Sequence, residues 1–198
     1  MHDNGKYRYR RHGAYTSKKG TLETVYREHV PHFQKKQYNN VNGDIERWFG
    51  KLESETRSNI FFQFLLTHTL EVFENIEKER NTFNADWSEW FIEVHQFRIK
   101  ATDKHIGLPT PEGIHTDGVS YIYILAIKRE NIAGGESSIY TNDKELILRD
   151  TLCAGDSVYL DDNKVMHGVS AISSISGNND AFRDILVITL FKRNTIDS

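Results

Sequence analysis

The chain has 198 residues, a net charge of −3 and 38% hydrophobic content, with charged residues making up 27%. That length suits one domain with a core of its own, and that composition excludes a disordered or fibrous chain. The slightly acidic balance provides no electrostatic footprint for nucleic acid, and the single cysteine, Cys153, excludes an internal disulfide.

The N-terminus is polar and charged, with no signal-peptide pattern, and cytoplasmic localisation is the default expectation. The most apolar stretch, "NIFFQFLLTHTLEVF", is interrupted by Gln63, Thr67, His68 and Glu71 and is too short to span a bilayer. In chain order, "YRYRRHGAY" reads as an alternating strand and "TLETVYREHV" as a short second strand or turn. From Asp44, a plausible N-cap, the segment "DIERWFGKLESE" spaces Ile45, Trp48, Phe49 and Leu52 as on a helix. A second helix is expected over Ser58–Lys78, with Phe61, Phe64, Leu65, Leu70 and Phe73 in the core. Beyond Trp87 the period shifts toward 2. "FIEVHQFRIKA", "SYIYILAIKR", "SSIYTN", "ELILRD", "DSVYLDD", "MHGVSAI" and "FRDILVITLFKR" read as short strands broken by Gly, Asn and Asp. The fold class expected is α+β, mainly β, with N-terminal strands and helices over residues 1–90 and a sandwich or jelly-roll barrel over 91–193. "NIAGGESSIY" is expected to form a hairpin through Gly134–Gly135, and Cys153 to be a small core residue.

The candidate chemistry lies in the β half. His115 and Asp117 stand two apart at the head of a strand, so both side chains can point to one side, with Gly113 and Gly118 permitting a sharp approach. A further histidine, His167, follows a turn of acidic and Asn residues. Two imidazoles and one carboxylate with open positions suit non-haem Fe(II), zinc being the rival metal; a polar turn opening a strand is the alternative without metal. Arg183, inside the apolar final strand, needs a carboxylate partner, and Asp184 points to the opposite face of that strand. An external dicarboxylate would serve.

"HQFRIKAT", "PEGIHTDGVSYIYILAIKRENIAGGESSIY", "VYLDDNKVMHGVSAI" and "AFRDILVITLF", with the Arg/Tyr-rich "DNGKYRYRRHGAY", together resemble the bacterial 2OG-Fe dioxygenase family that includes the L-isoleucine 4-hydroxylases. The resemblance covers essentially the whole chain and implies a double-stranded β-helix. It further implies Fe(II) held by His115, Asp117 and His167, the cosubstrate 2-oxoglutarate anchored by Arg183, and O2 as oxidant. The activity implied is hydroxylation of a small substrate, in the first place a free L-amino acid, at an unactivated C–H. The alternatives are desaturation or ring closure at the same site, a cupin-like barrel binding a metal or carboxylate without turnover, and a zinc hydrolase. Members of that family commonly carry a segment ahead of the Arg/Tyr-rich stretch, and this chain begins almost there. It is therefore either a minimal member or one lacking a wall of the pocket.

Around this set, Arg98 and Gln96 share a strand face and are candidates to clamp the substrate carboxylate; a solvated cross-strand pair is the alternative. Ser137 and Tyr140 are candidates to lie beside the cosubstrate, and one carboxylate of Asp161–Asp162 to orient His167. Arg8, Arg10 and Arg11 are expected at the surface, and His12 and His32 as surface or packing residues. The aromatic first forty residues and the Trp87–Trp90 segment are expected to shape the pocket.

Overall fold

The computed structural model describes residues 7–38, 43–175 and 181–194. The chain runs through β1 (Arg8–Lys18), β2 (Val25–Tyr26), β3 (Gly50–Lys51), α1 (Ser54–Ser58), α2 (Ile60–Glu79), β4 (Glu89–Ala101) and β5 (Tyr121–Glu130). It continues through β6 (Ile132–Gly134), β7 (Ser137–Thr141), β8 (Leu146–Asp150), β9 (Ser157–Asp161), β10 (Val165–Val169), β11 (Ile172–Ser174) and β12 (Ala181–Arg193). The architecture is mainly β with few helices, and no helix among the described residues is long and apolar enough to cross a membrane.

The major sheet has the order β2-β1-β4-β12-β5-β9, with β3 joined to β1; a smaller sheet, β10-β7-β8, and the pair β11-β6 complete the strands. Side chains alternate across a strand, so the two long central strands serve two environments at once. Trp90, Ile92 and Val94 of β4 and Leu186, Ile188 and Leu190 of β12 face α2 and form the main core with it. The odd-numbered residues, among them Val187 and Phe191, face the smaller sheet, where Ile122, Ile139 and Leu160 bury a second cluster. Helix α2 begins where the Asn59 carboxamide oxygen accepts from the backbone N–H groups of Phe61 and Phe62. Its buried stripe contains Phe62, Leu65, Leu66, Thr69, Leu70 and Phe73 at helical spacing, whereas Phe61 and Phe64, expected inside, are exposed.

Three other local expectations are corrected. Residues 44–52 form no helix: Asp44 has φ of 59° and its carboxylate accepts from Lys36 N at 2.9 Å, so it is a turn residue and not a cap. The backbone of Arg47 pairs with His32, and Gly50–Lys51 joins β1 in parallel, so long-range pairing takes the amide groups a helix would need. Gly134 and Gly135 do adopt positive φ (78° and 72°), but β6 pairs with β11 while β7 pairs with β10 and β8. The glycines therefore carry the chain from one sheet to another, and no hairpin forms. Cys153 is exposed in a turn, where its N–H donates to Asp156.

Candidate active site

His115 and His167 are brought together by the backbone. Each N–H donates to the other's carbonyl at 2.9 Å, an antiparallel bridge that sets the two rings on one side with centroids 4.6 Å apart. Asp117 closes the triangle, with Oδ1 3.4 Å from His115 Nε2 and Oδ2 3.8 Å from His167 Nε2. The loop holding this carboxylate is tied down by Asp162, whose oxygens accept from the N–H groups of Asp117 (3.1 Å), Gly118 (2.7 Å) and Val119 (3.0 Å). Asp162 thus fixes the ligand loop and does not orient His167, the role considered for it from sequence. Gly118 has φ of 77°, and a Cβ there would stand 2.2 Å from the Tyr38 ring; close packing of Tyr38 over the loop requires glycine.

The electrostatics suit a cation. Burial opposes ionisation of Asp117, yet the two imidazoles hold it well below the usual carboxylate range. Burial likewise opposes the His115 imidazolium, but Asp117 and Glu112 outweigh it and push the group up to about 9. His167, with burial dominant, is pushed down to about 4. The His115 Nδ1–H donates to Gly113 O at 3.0 Å, which turns Nε2 toward Asp117. Two imidazoles and an ionised carboxylate, with ligand atoms within 4.8 Å of one another and no thiolate, match the donor set of a non-haem Fe(II) centre.

The triad opens into a cavity of about 420 Å³, within the size range of small-ligand sites. At one end of it lies Arg183, 5% exposed. Its Nη2 reaches Ser137 Oγ at 3.5 Å, its Nε has no partner, and no carboxylate among the described residues pairs with it. Burial, then the nearby Arg129, lowers this guanidinium to about 10, so it stays charged. A buried, charged guanidinium in the cavity of this triad, unmatched among the described residues, fits the distal carboxylate of 2-oxoglutarate. The profile of the 2OG-Fe dioxygenase family matches residues 1–189. The chain belongs to this family.

Membership in the 2OG-Fe dioxygenases makes the chain an oxygenase, with Fe(II), 2-oxoglutarate and O2 as cofactor and cosubstrates. It is 27% identical over 177 residues to the 3(1)-hydroxy-L-isoleucine 4-dioxygenase of Pantoea ananatis, covering 87% of this chain and 68% of that protein. It is 26% identical over 168 residues to the L-isoleucine-4-hydroxylase of Bacillus thuringiensis, covering 83% of this chain and 66% of that one. The chain thus spans about two thirds of the length of both relatives. Among solved structures, a bsmA homologue from Methylobium petroleophilum superposes with a TM-score of 0.81 at 32% identity, over 100% of this chain and 76% of that one.

The remaining candidates divide by strand face. Ser137 lines the cavity of this 2OG-Fe dioxygenase beside Arg183, whereas Tyr140 does not, its hydroxyl accepting from Arg149 Nη2 at 3.1 Å. Arg98 and Gln96 open on the other side of β4, in a separate groove with Tyr9 and Asp184. Arg98 donates from Nε and Nη2 to the two carboxylate oxygens of Asp184, at 2.7 and 2.6 Å, and its guanidinium stacks on Phe182. Alternation along the strand turns both side chains away from the triad, which corrects the substrate role expected for them. Trp87 and Trp90 are likewise core residues against α2 and leave the pocket to others.

What the sequence missed lies at the cavity's other end. Arg10, expected at the surface, is buried between the rings of Phe49 and Phe97 and donates to His95 Nδ1. Glu93, His95 and His32 line the same wall, and Gln34 Nε2 donates to Asp117 O at 3.0 Å and Oδ1 at 3.3 Å. No local spacing reveals this group, because it is the register of β1 on β4 that sets His12 opposite His95.

Proposed function

We propose that this chain hydroxylates a small substrate, a free L-amino acid, at an unactivated C–H in an Fe(II)- and 2-oxoglutarate-dependent reaction. The metal is held by His115, Asp117 and His167, on a double-stranded β-helix that works as one domain. The observation that carries the reading is Arg183, charged and buried in the cavity that holds the triad, with no carboxylate partner among the described residues. A dicarboxylate bound there satisfies the guanidinium and places its 2-oxo acid end toward the metal. The amino-acid part of the reading is supported by the names of the two relatives and by a cavity sized for a small molecule.

When bound, iron with 2-oxoglutarate and O2 supplies the oxidising power; the protein supplies binding, orientation and exclusion of water. Arg183 and Ser137 orient the cosubstrate. Gly113 O fixes the His115 ring, Asp162 fixes the loop of Asp117, and Gln34 steadies its carboxylate. Ile124, Ile185, Val187 and Phe191 make the sheet side of the cavity apolar, which shields the reaction from water.

Anaerobically reconstituted protein, given Fe(II), 2-oxoglutarate and a panel of amino acids, is then exposed to O2. Succinate is expected to rise with at least one of them, that amino acid gaining one oxygen atom, and to vanish in His115→Ala. Loss of two hydrogens without gain of oxygen would instead assign desaturation or ring closure. Tight iron binding with no succinate under any condition would sink the oxygenase reading in favour of a binding barrel.

A further inference from the structure

The wall of the cavity remote from Arg183 carries a buried acid that the triad does not use. Glu93 projects from the odd-numbered face of β4 and is 3% exposed. Its Oε1 accepts from His12 Nε2 at 2.9 Å and from His32 Nδ1 at 3.0 Å. The imidazoles are themselves packed in place: His12 stacks on His95 at 4.8 Å, and His32 meets His95 edge-on at 4.9 Å. The other oxygen, Oε2, accepts nothing from the described residues and is not sealed off, since Glu93 lines the cavity. Burial disfavours the anion, but the two imidazole donors outweigh it and hold the group at about 2. A buried carboxylate with one oxygen filled and one open calls for a cationic or hydrogen-bonding partner.

The neighbouring cations are not that partner. Arg10 is turned to His95, at 3.3 Å from Nε and 3.1 Å from Nη2, and stacks on Phe49 and Phe97; Arg47 lies over Phe49. Neither forms an ion pair with Glu93. The wall therefore offers an open anion, the complement of an ammonium group. It lies close to the chemistry: the His32–Gln34 segment that donates to Glu93 at one end donates to Asp117 at the other.

We infer that Glu93 is the substrate-recognition carboxylate, its Oε2 receiving the ammonium group of the substrate while His12 and His32 hold the other oxygen. This rests on the amino-acid reading above and deepens it: the substrate class is a small molecule with a free protonated amine. The same four residues, His12, His32, Glu93 and His95, have ligand atoms within 4.8 Å of one another and could be read as a second metal site. A metal there would need lone pairs already in use, because His95 Nδ1 accepts from Arg10 and Oε1 accepts from both imidazoles.

The test is calorimetric titration of the full chain, loaded anaerobically with Fe(II) and 2-oxoglutarate, with proteinogenic amino acids, L-isoleucine first. The best binder is then compared with its matched 2-hydroxy acid, in which hydroxyl replaces ammonium. The 2-hydroxy acid is expected to bind about 10- to 100-fold more weakly, the loss typical of a charged hydrogen bond, and Glu93→Gln is expected to close the gap. Equal binding of the two acids by the wild type overturns the inference without recourse to any variant, as does a folded Glu93→Gln that keeps the discrimination. Two tightly held metal ions per chain would overturn it in favour of the metal site. If no amino acid binds and none yields succinate, the amino-acid reading falls and this inference with it; binding without discrimination ends this one alone.

Discussion

Arg183 and Arg98 sit on neighbouring strands and meet opposite fates because of one step in register. Arg183 points into the cavity and has only Ser137 as a hydrogen-bond partner among the described residues, while Arg98, opposite Asp184, points outward and is paired with it. An exposed pair of this kind is worth at most about 1 kcal/mol. Arg98→Ala should therefore leave KM for 2-oxoglutarate and for substrate within about twofold of wild type. Arg183→Met should raise KM for 2-oxoglutarate by about 100-fold or more. It should also leave the ligand-free protein no less stable, since it removes a buried charge that no carboxylate among the described residues compensates. Steady-state succinate formation together with thermal melts distinguishes these outcomes; a ligand-free Arg183→Met that melts far below wild type would mean the guanidinium has a structural partner. The inward direction of Arg183, and the exclusion of Asp184 as its partner, were legible from strand alternation alone. Arg98 obeyed the same rule, but whether its face was the cavity or the outside depended on where α2 packs, which periodicity does not state. The Glu93 wall was illegible for a related reason: His12, His32 and Glu93 are far apart in sequence and meet through the pairing of β1 with β4 and the bridge of His32 to Arg47.

Helix α2 was readable because its apolar period persists over twenty residues, long enough to outweigh local ambiguity. Its exact face was less so, since Phe61 and Phe64 extend the apolar run onto the solvent side. Residues 44–52 failed for want of length. Four apolar residues at helical spacing also fit an extended segment, and pairing of Arg47 with His32 and of Gly50–Lys51 with β1 decided the matter. The helix holds the sheet from behind, placing Leu70 and Phe73 against Tyr121 and Trp90, with the Tyr121 hydroxyl bonded to Glu77. Leu70→Ala, at a site with no exposure, should cost about 2–5 kcal/mol in urea unfolding, whereas Ile60→Ala on the exposed face should stay within about 0.5 kcal/mol. Comparable losses at both positions would mean that the face carrying Ile60, Phe61 and Phe64 is covered in the working protein.

At the scale of the molecule, one sheet separates a largely apolar side, closed by α2 with Glu74 and Glu77 buried in it, from a cavity side that holds the candidate chemistry. Glu93, Asp117 and Arg183 are all on the second side, and their ionisation ties stability to pH. For Glu93 the sign is definite. Its folded pKa of about 2 lies below the ordinary 4.5, so the unfolded chain binds the proton more readily. The stabilisation is complete above about pH 4.5 and is lost as pH falls toward 2, amounting to about 3 kcal/mol across that window. The comparison of wild type with Glu93→Gln reports this contribution as coupled to His32, because buried groups out of contact with Glu93 titrate in both. The stability difference between them should be small near pH 2, grow through pH 3 to 4, and level off from about pH 5 upward. A difference that does not change between pH 2 and 5 would show that His12 and His32 do not hold the carboxylate ionised. The cavity wall would then be a neutral hydrogen-bonding surface, suited to a hydroxyl or amide and not to an ammonium group.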